Sequence, residues 1–381
     1  MAHNLISEKE DNHIKLKFTP LFCVLRGLVL VLTLGLAAGL ATLILAGVAQ
    51  ASPIGPGGKP VPNAQPDSQI QAAAVTYTVY YGGDAHYCDS NGCDLSGALD
   101  AANANPGADT IVFADFTFDI VLNSTLIISD DVTIDGSGGV VTINGNNSVQ
   151  VMQVNSGKTL NLNAVTIVNG NSPGSFGGGI RNEGVLTVTN STFSGNSAMW
   201  GGGIANQGDT LTVTNSTFSG NSATWGGGIY NQVGTLKVTN STLSGNLANN
   251  LGGGITATSF GSVTLYNTIV ANSTSGGDCE LLITPTIDSF NIDSDGTCGN
   301  ATQKTVGEIN LGSLADNGGS TETMALLPGS AAIDAGNNAV CPATDQRGIS
   351  RPIDGDNNGT AICDIGAFEV LKKVYLPLIL R

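Results

Sequence analysis

The sequence is poor in charge, and in positive charge above all. Lys, Arg, Asp and Glu make up 12% of its 381 residues, and 14 basic residues face 30 acidic ones. Nucleic acids and anionic membranes attract proteins through Lys and Arg. The composition therefore predicts that nucleic acid is not a partner of this chain, and it does not favour docking on anionic lipid.

Histidine is scarce as well, and His86 is the only one beyond residue 51. Ser-His-Asp chemistry would depend on this residue alone. In the repeats described below, Arg181 and Lys237 stand at different repeat positions, whereas Glu183 and Asp209 are isolated. The paired carboxylates of a glycosidase are thus not evident. We therefore expect no catalysis, although distant coils could still assemble a site.

A long apolar run lies at the N-terminus, over residues 27–49. Lys15, Lys17 and Arg26 precede it, and Ala49-Gln50-Ala51 follows. This order predicts a signal peptide over residues 1–51. The run is also long enough to span a bilayer, so an uncleaved membrane anchor is the alternative. Either way the rest is exported, and the Pro- and Gly-rich residues 52–74 are predicted to form a flexible linker.

Six cysteines follow this segment, and an even number in an exported chain predicts disulfides. Their sequence order suggests three close pairs, which are Cys88–Cys93, Cys279–Cys298 and Cys341–Cys363. This is the simplest of 15 possible connectivities. Zinc is the alternative, but the sequence contains no CxxC motif and little histidine.

From about residue 120 to 275 the chain repeats itself. One block reads "GGGIANQGDTLTVTNSTFSGNSATW", and similar blocks begin at Gly177, Gly201, Gly226 and Gly252, in steps of 24, 25 and 26 residues. A fixed period in this range indicates stacked structural units. The blocks are shorter than propeller blades, which need about 40 residues.

Each block alternates in the manner of a β-strand. Leu211 and Val213 alternate with threonines, which is the strand period of two. The parity breaks at Asn215, a residue type that tolerates the left-handed conformation of a tight corner. With Ile204 marking a further strand, each unit has three short strands and three turns. The prediction is an all-β parallel β-helix of about 25 residues per coil.

In such a stack, like residues lie on one another about 4.8 Å apart. The predicted columns are Leu186, Leu211 and Leu236; Val188, Val213 and Val238; Phe193, Phe218 and Leu243; and, at the corner, Asn190, Asn215 and Asn240. We expect an N-terminal cap over residues 75–118, coils over 119–304, a C-terminal cap over 305–369 that protects strand edges, and a tail over 370–381.

Two kinds of binding site are conceivable in the coils. Phe176, Trp200 and Trp225 precede the glycine triplets and would form an aromatic row that could bind a sugar, or could simply cover a corner of the core. The corner asparagines, with Asn123 and Asn272, begin glycosylation triplets. Glycans on a column with so short a spacing would collide, which favours an amide ladder at the three repeated positions.

The sequence "DGDNNG" spaces Asp354, Asp356 and Asn358 as in the first half of a calcium loop. Oxygen ligands of this kind suit a hard cation. The twelfth position is Ile365 rather than Glu, so this is not an EF-hand. The alternative is a turn rich in Asp and Asn. Calcium is the only cofactor that the sequence suggests.

Three stretches resemble known families of exported bacterial proteins. "CDLSGALDAANANPGADTIVF" resembles the CSLREA-type N-terminal motif, the "GGGI" blocks resemble polymorphic outer-membrane-type repeats, and "PGSAAIDAGN" with "DQRGISRP" and "CDIGAFE" resembles a choice-of-anchor Q domain. The resemblance implies a secreted or surface-displayed right-handed β-helix, without a defined catalytic activity.

These observations predict an exported, cell-surface or secreted rod with a structural or adhesive role. Its partner would be an extracellular glycan or another surface, and it would meet the membrane only through residues 27–49 if these are uncleaved. The alternative is a carbohydrate-binding or carbohydrate-active β-helix protein, of the polysaccharide lyase or glycosidase kind.

Overall fold

A computed structural model describes residues 73–371, apart from residues 284–285 and 288–289. It is a parallel β-helix of about seven turns with roughly 25 residues per coil, as the repeats predict. The predicted signal peptide, nearly all of the linker and most of the tail lie outside the described residues.

The coils build three sheets, which are parallel except where Cys88–Asp89 pairs antiparallel with Gly92–Asp94. The first sheet contains Thr76–Tyr81, Cys88–Asp89, Gly92–Asp94, Asp109–Phe113, Leu126–Ile128, Val132–Asp135, Met152–Val154, Thr159–Asn163, Ile180–Asn182, Val185–Thr189, Ile204–Asn206, Thr210–Thr214, Ile229–Thr239, Ile255–Tyr266, Cys279–Leu281 and Thr286–Ile287. The second contains Thr117–Val121, Val140–Asn144, Thr166–Val168, Thr192–Ser194, Thr217–Ser219, Thr242–Ser244, Ile269–Ala271, Ile292–Asp293 and Thr302–Gln303. The third contains Asn171–Phe176, Ser197–Trp200, Ser222–Trp225 and Leu247–Leu251.

The register confirms the predicted columns. Leu211 lies opposite Leu186 and Leu236, and Phe218 lies opposite Phe193 and Leu243. All six side chains are fully buried, and the rings of Phe193 and Phe218 stack with centroids 4.6 Å apart. One apolar shaft therefore runs through successive coils.

The assignment of strands to sheets adds a detail that the pattern does not reveal. Ile204–Asn206 and Thr210–Thr214 belong to the same sheet and merge, one coil later, into Ile229–Thr239. The third sheet is built instead by the segments that carry the aromatic residues, such as Ser222–Trp225. Each of the four coils that supply the third sheet thus contributes to three sheets, and the aromatic segment is a strand rather than a turn.

The corner predicted at asparagine is present. Asn190, Asn215 and Asn240 have φ angles of +51°, +47° and +44°. This left-handed conformation is costly for most residues but tolerated by Asn. The break in alternation between Val213 and Phe218 therefore follows from a change of direction, which carries the chain from the first sheet to the second.

Different devices close the two ends of the shaft. At the N-terminal end lies helix α1, Leu95–Ala104, whose first turn is capped by the Asp94 carboxylate accepting from Gly97 N at 2.7 Å. Leu95 and Leu99 on this helix join the buried core of the coils. At the other end, Asp293 takes the column position occupied by Val270 one coil earlier, and its Oδ2 accepts from Cys298 N at 2.9 Å.

The chain then turns back along the side of the coils as the C-terminal strap, residues 305–371. It contains helix α2, Val306–Ile309, and an antiparallel pair, Leu311–Ala315 and Thr323–Leu326. A second core cluster joins strap residues to the outer face of the second sheet, and it comprises Ile269, Ala271, Ile292, Ile309, Leu326, Ala332 and Ile365. A cap was expected here, and the contacts of this segment extend over several coils.

The disulfides Cys88–Cys93, Cys279–Cys298 and Cys341–Cys363 are present. The first lies beside α1, the second joins the last coils, and the third lies within the strap. None of the helices in the described part of the chain has the length and apolar character needed to cross a bilayer.

Candidate functional site

The aromatic residues before the glycine triplets form the expected row on the third sheet. The rings of Phe176 and Trp200 are stacked at 4.5 Å between centroids, and those of Trp200 and Trp225 at 5.7 Å. The three strands that carry them pair in parallel, with these residues opposite one another. The side chains are half-buried.

This stacking leaves the edge of the central ring, rather than its faces, for a ligand. Both faces of Trp200 are covered by its neighbours, and the Arg181 guanidinium lies 5.8 Å from the centroid of the Phe176 ring. Sugar rings pack on the flat face of an aromatic side chain. The geometry therefore suits a structural corner stack better than a sugar platform.

The corner asparagines form the expected amide ladder only in part, because Asn240 Nδ2 donates to the Asp364 carbonyl at 3.2 Å, and the buried Asn215 Oδ1 has no hydrogen-bond partner among the described residues. Asn215 Nδ2 donates to Asn190 Oδ1 at 3.4 Å, and Asn267 Nδ2 donates to Asn240 Oδ1 at 3.1 Å. Asn215 and Asn240 are buried, so a glycan could not be attached to either in the folded chain. Asn123 and Asn272, which are not members of this corner column, are exposed.

Two further asparagine ladders are fully buried, and the sequence patterns did not single them out. One follows the glycine triplet, and the other follows the second-sheet strand; their members are Asn182, Asn206 and Asn231, and Asn196, Asn221 and Asn246. Amide-to-amide distances within them are 2.7–3.0 Å. Their recurrence at one repeat position is the signal that could have revealed them.

The acidic loop gains a member that is distant in sequence. Carboxylate oxygens of Asp334, Asp354 and Asp356 lie within 4.8 Å of one another. Asn358 joins them through its amide, because its Nδ2 donates to Asp356 Oδ2 at 2.9 Å. Burial, followed by the nearby charge of Asp356, raises the pKa of Asp334. Three converging carboxylates suit a hard cation.

The same carboxylates also accept backbone hydrogen bonds. Asn358 N donates to Asp354 Oδ1 at 3.0 Å and to Asp356 Oδ1 at 2.9 Å, and Asp356 N donates to Asp334 Oδ2 at 2.7 Å. Contacts of this kind define a turn rich in Asp and Asn. Both sequence interpretations of the loop are therefore compatible with its geometry.

The strap is held on the coils through threonine hydroxyls. Gln346, from the "DQRG" stretch, donates from Nε2 to Thr192 Oγ1 at 2.9 Å and accepts through Oε1 from Thr217 Oγ1 at 2.7 Å. Ala367, from the "CDIGAFE" stretch, donates its N–H to Thr242 Oγ1 at 3.0 Å. The two terminal motifs thus meet the repeats directly.

Charged side chains are buried beneath these contacts. Arg347 makes two bonds to Asp345 Oδ2, at 2.9 and 2.7 Å, and lies 3.5 Å from the Phe368 ring centroid. Arg351 Nε lies 3.3 Å from Glu369 Oε2, and both side chains are fully buried. Burial lowers the pKa of Arg351 and raises that of Glu369.

Asp364 is the additional acid of this group. Its two carboxylate oxygens accept from Asp334 N at 2.7 Å and from Val370 N at 2.6 Å. Burial, and then the charge of Glu369, raise its pKa to about 7. The group therefore combines three buried acids with two guanidinium groups, and its balance of charge depends on the protonation of Asp364.

His86 has a carboxylate partner, because its Nδ1 lies 2.7 Å from Asp100 Oδ2. This hydrogen bond favours the charged imidazole and raises the pKa of His86. The nearby buried Ser96 donates to Asp84. The pair is half-exposed beside helix α1, away from the repeats.

Comparison with protein families gives one match, to the Chlamydia polymorphic membrane protein repeat, over residues 190–207 and 215–232. These residues span the corner asparagine, the second-sheet strand and the glycine triplet of two successive coils. The similarity indicates a surface or outer-membrane β-helix protein. Comparison with the curated proteins and with solved structures gives no significant match.

Proposed function

We propose that this chain is a surface-displayed β-helix protein whose stacked coils serve as a rigid structural or adhesive rod. The observation that carries the proposal is the coincidence of the repeat match with the in-register stack. The matched residues 190–207 and 215–232 are those that form the corner ladder and the buried columns.

The outer surface of the central coils supports adhesion rather than steering by charge. From Gly177 to Leu251 the charged residues are Arg181, Glu183, Asp209 and Lys237, and the first two form an ion pair. A surface so poor in charge meets a partner through hydrogen bonds and close packing, since long-range attraction requires a larger charge.

Two finer points rest on resemblance. The CSLREA-type and choice-of-anchor-type stretches support export through residues 1–51 and attachment through the C-terminal region. The strap carries the second stretch along several coils, so attachment there would display the coils lengthwise at the surface.

Location and adhesion can be tested separately. Intact producing cells are treated with protease and probed with an antibody against the coils; loss of the antigen without lysis is expected, and full protection would contradict surface display. Deletion of the gene segment encoding residues 177–251 should then reduce attachment of the cells to a surface that the undeleted strain colonises, while equal attachment would leave only a structural role.

Carbohydrate binding is the second candidate, and its support is the aromatic row alone. Because the rings cover one another, binding through their faces is disfavoured. A glycan array with Trp200→Ala/Trp225→Ala decides the matter: binding that disappears in the double variant would favour this candidate over the rod.

A further inference from the structure

Five threonines form one column on the outer face of the second sheet. They are Thr142, Thr166, Thr192, Thr217 and Thr242, each opposite the next in the strand register. Inward-facing neighbours such as Phe193 and Phe218 belong to the shaft. The column therefore offers a line of hydroxyls, one per coil, along the side of the molecule.

The strap occupies three of these five positions, and it does so with polypeptide groups. Thr192 Oγ1 donates to the Glu322 carbonyl at 2.6 Å, Thr217 binds the side-chain amide of Gln346, and Thr242 Oγ1 accepts from a backbone N–H. The hydroxyls of Thr142 and Thr166 make no hydrogen bond within the described part of the chain. The occupied half of the column shows what the free half can bind.

A groove of about 350 Å³ lies over the free half, between the sheet and the edge of the strap. Its floor includes Val140, Thr142, Thr166 and Val168, and its strap side includes Asp316 and Glu322. Val140 is 44% exposed, and none of the described residues that line the groove is basic. The groove thus combines a small apolar surface, free hydroxyls and negative charge.

We propose that this groove is a docking site for an extended polypeptide segment of a partner protein that carries at least one Lys or Arg. The main chain of the partner would lie on Thr142 and Thr166, as separate strap segments at Glu322, Gln346 and Ala367 lie on the other three threonines. Its basic side chain would face Asp316 and Glu322. Asp119 lies opposite Thr142 in the preceding strand of the second sheet. Its carboxylate adds negative charge at the N-terminal end of the threonine column.

Two independent observations select this occupant. The first is continuity, because the groove extends a contact that the chain already makes with its own backbone and amide groups. The second is charge, since Asp316 and Glu322 form no ion pair within the described part of the chain, and unpaired acidic groups favour a cationic partner. The inference gives the proposed adhesive role a partner class, but its test needs no cell surface.

The probe is a fluorescent synthetic peptide that copies residues 343–352 of this chain, "ATDQRGISRP", which contains Gln346 and two arginines. It is titrated into the full chain, and anisotropy is measured. We expect saturable binding that weakens at least about tenfold in Thr142→Val/Thr166→Val, since two hydrogen bonds are lost. Asp316→Asn/Glu322→Gln should weaken it further and reduce its salt dependence.

The matched control is Thr187→Val/Thr212→Val on the outer face of the first sheet, which should bind as the unmodified chain does. Melting curves of every variant check the fold. No saturable binding overturns the proposal, as does binding insensitive to Thr142 and Thr166, which would mean that the peptide displaces the strap at its own site. Competition by a neutral hexasaccharide but not by the unlabelled peptide would also overturn it, in favour of a glycan.

Discussion

In the central coils, equivalent residues make the same contact in every turn. Leu211 lies opposite Leu186 and Leu236, and Asn221 bonds to both Asn196 and Asn246. In the strap, every contact has a different partner, and buried charges such as Arg351 and Glu369 replace the neutral amides. The two buried asparagine ladders of the coils bond each amide to an identical neighbour, whereas the strap depends on one particular combination of acids and bases.

The comparison explains where each region is vulnerable. A buried polar group is tolerated when its hydrogen bonds are satisfied, and a ladder satisfies them by repetition alone. A buried ion pair must be matched residue by residue, and removal of one partner is costly. We therefore expect core and ladder substitutions to affect the coils at any pH, whereas the strap should respond to pH and to ions.

The largest effect is expected for Phe218→Ala in the shaft. The ring is fully buried and stacked on Phe193, so its loss leaves a cavity and should reduce the free energy of unfolding by about 3–5 kcal/mol. Denaturant titration measures the change. Thr212→Ala, on the outer face of the first sheet, is the control and should cost less than about 0.5 kcal/mol. Equal effects of the two would refute the shaft.

Asn221→Ala should have the next largest effect and reduce the free energy of unfolding by about 3 kcal/mol. It removes the hydrogen bonds of two buried polar groups, at a cost of roughly 1–3 kcal/mol each. These are Asn196 N, which donates to Asn221 Oδ1 at 3.1 Å, and the Phe193 carbonyl, which accepts from Asn221 Nδ2 at 2.9 Å. The same denaturant titration applies, with the exposed Asn161→Ala as the control. A cost below that of the control would show that the ladder is dispensable.

The strap should weaken as pH rises. The pKa of Asp364 is raised from 3.8 to about 7, so folding favours its neutral form. The stability that this form provides is complete below pH 3.8 and is lost as pH rises through about 7. The whole change is on the order of 4 kcal/mol, of which about 3 kcal/mol falls between pH 5 and pH 8.

Hydrogen exchange at pH 5 and pH 8, corrected for intrinsic rates, separates strap amides from coil amides. We expect reduced protection of the strap at the higher pH and constant protection of residues 185–244. Asp364→Asn cannot ionise and should abolish the difference, even if it lowers the protection overall. Equal protection of the strap amides at both pH values in the unmodified chain would contradict the proposed ionisation of Asp364.

The smallest effect concerns the calcium site, which stays a prediction. Calcium that binds Asp334, Asp354 and Asp356 should stabilise the strap by about 1.4 kcal/mol at ten times its Kd. Differential scanning calorimetry with calcium and with magnesium measures the shift, and Asp354→Asn should remove it. An unchanged melting curve would leave the loop as a turn.

The sequence was sufficient for the coils because each buried column repeats its residue type. Leu186, Leu211 and Leu236 identify one another through a shared spacing, and the parity break at Asn215 locates the corner. The third-sheet strand escaped the pattern because Ser222–Trp225 buries only Ala223 fully, so it lacks the alternation that marks a strand. The ladder of Asn221 was missed because a repeated Asn does not by itself show whether its amide lies inside the coil, where Asn221 is fully buried.

The strap could not be predicted in the same way. The Thr217–Gln346 bond joins residues 129 positions apart, and no repetition in the sequence links the two. Asp334 joins the acidic loop across about twenty residues for the same reason. Neither contact can be predicted from charge or composition, because each forms where two distant segments meet and neither segment belongs to a repeat.

The course of the strap along the coils limits where a repeat block can be inserted into the sequence. Duplication of one block would lengthen the rod by about 4.8 Å and leave both end closures intact. Strap contacts, however, fall on Asn190, Thr217, Thr242 and Asn267 in successive coils. An extra block between residues 190 and 267 would displace some of these partners by one coil relative to the strap. The strap contacts therefore fix the number of coils between residues 190 and 267. The β-helix can gain coils without disturbing these contacts only on the N-terminal side of residue 190.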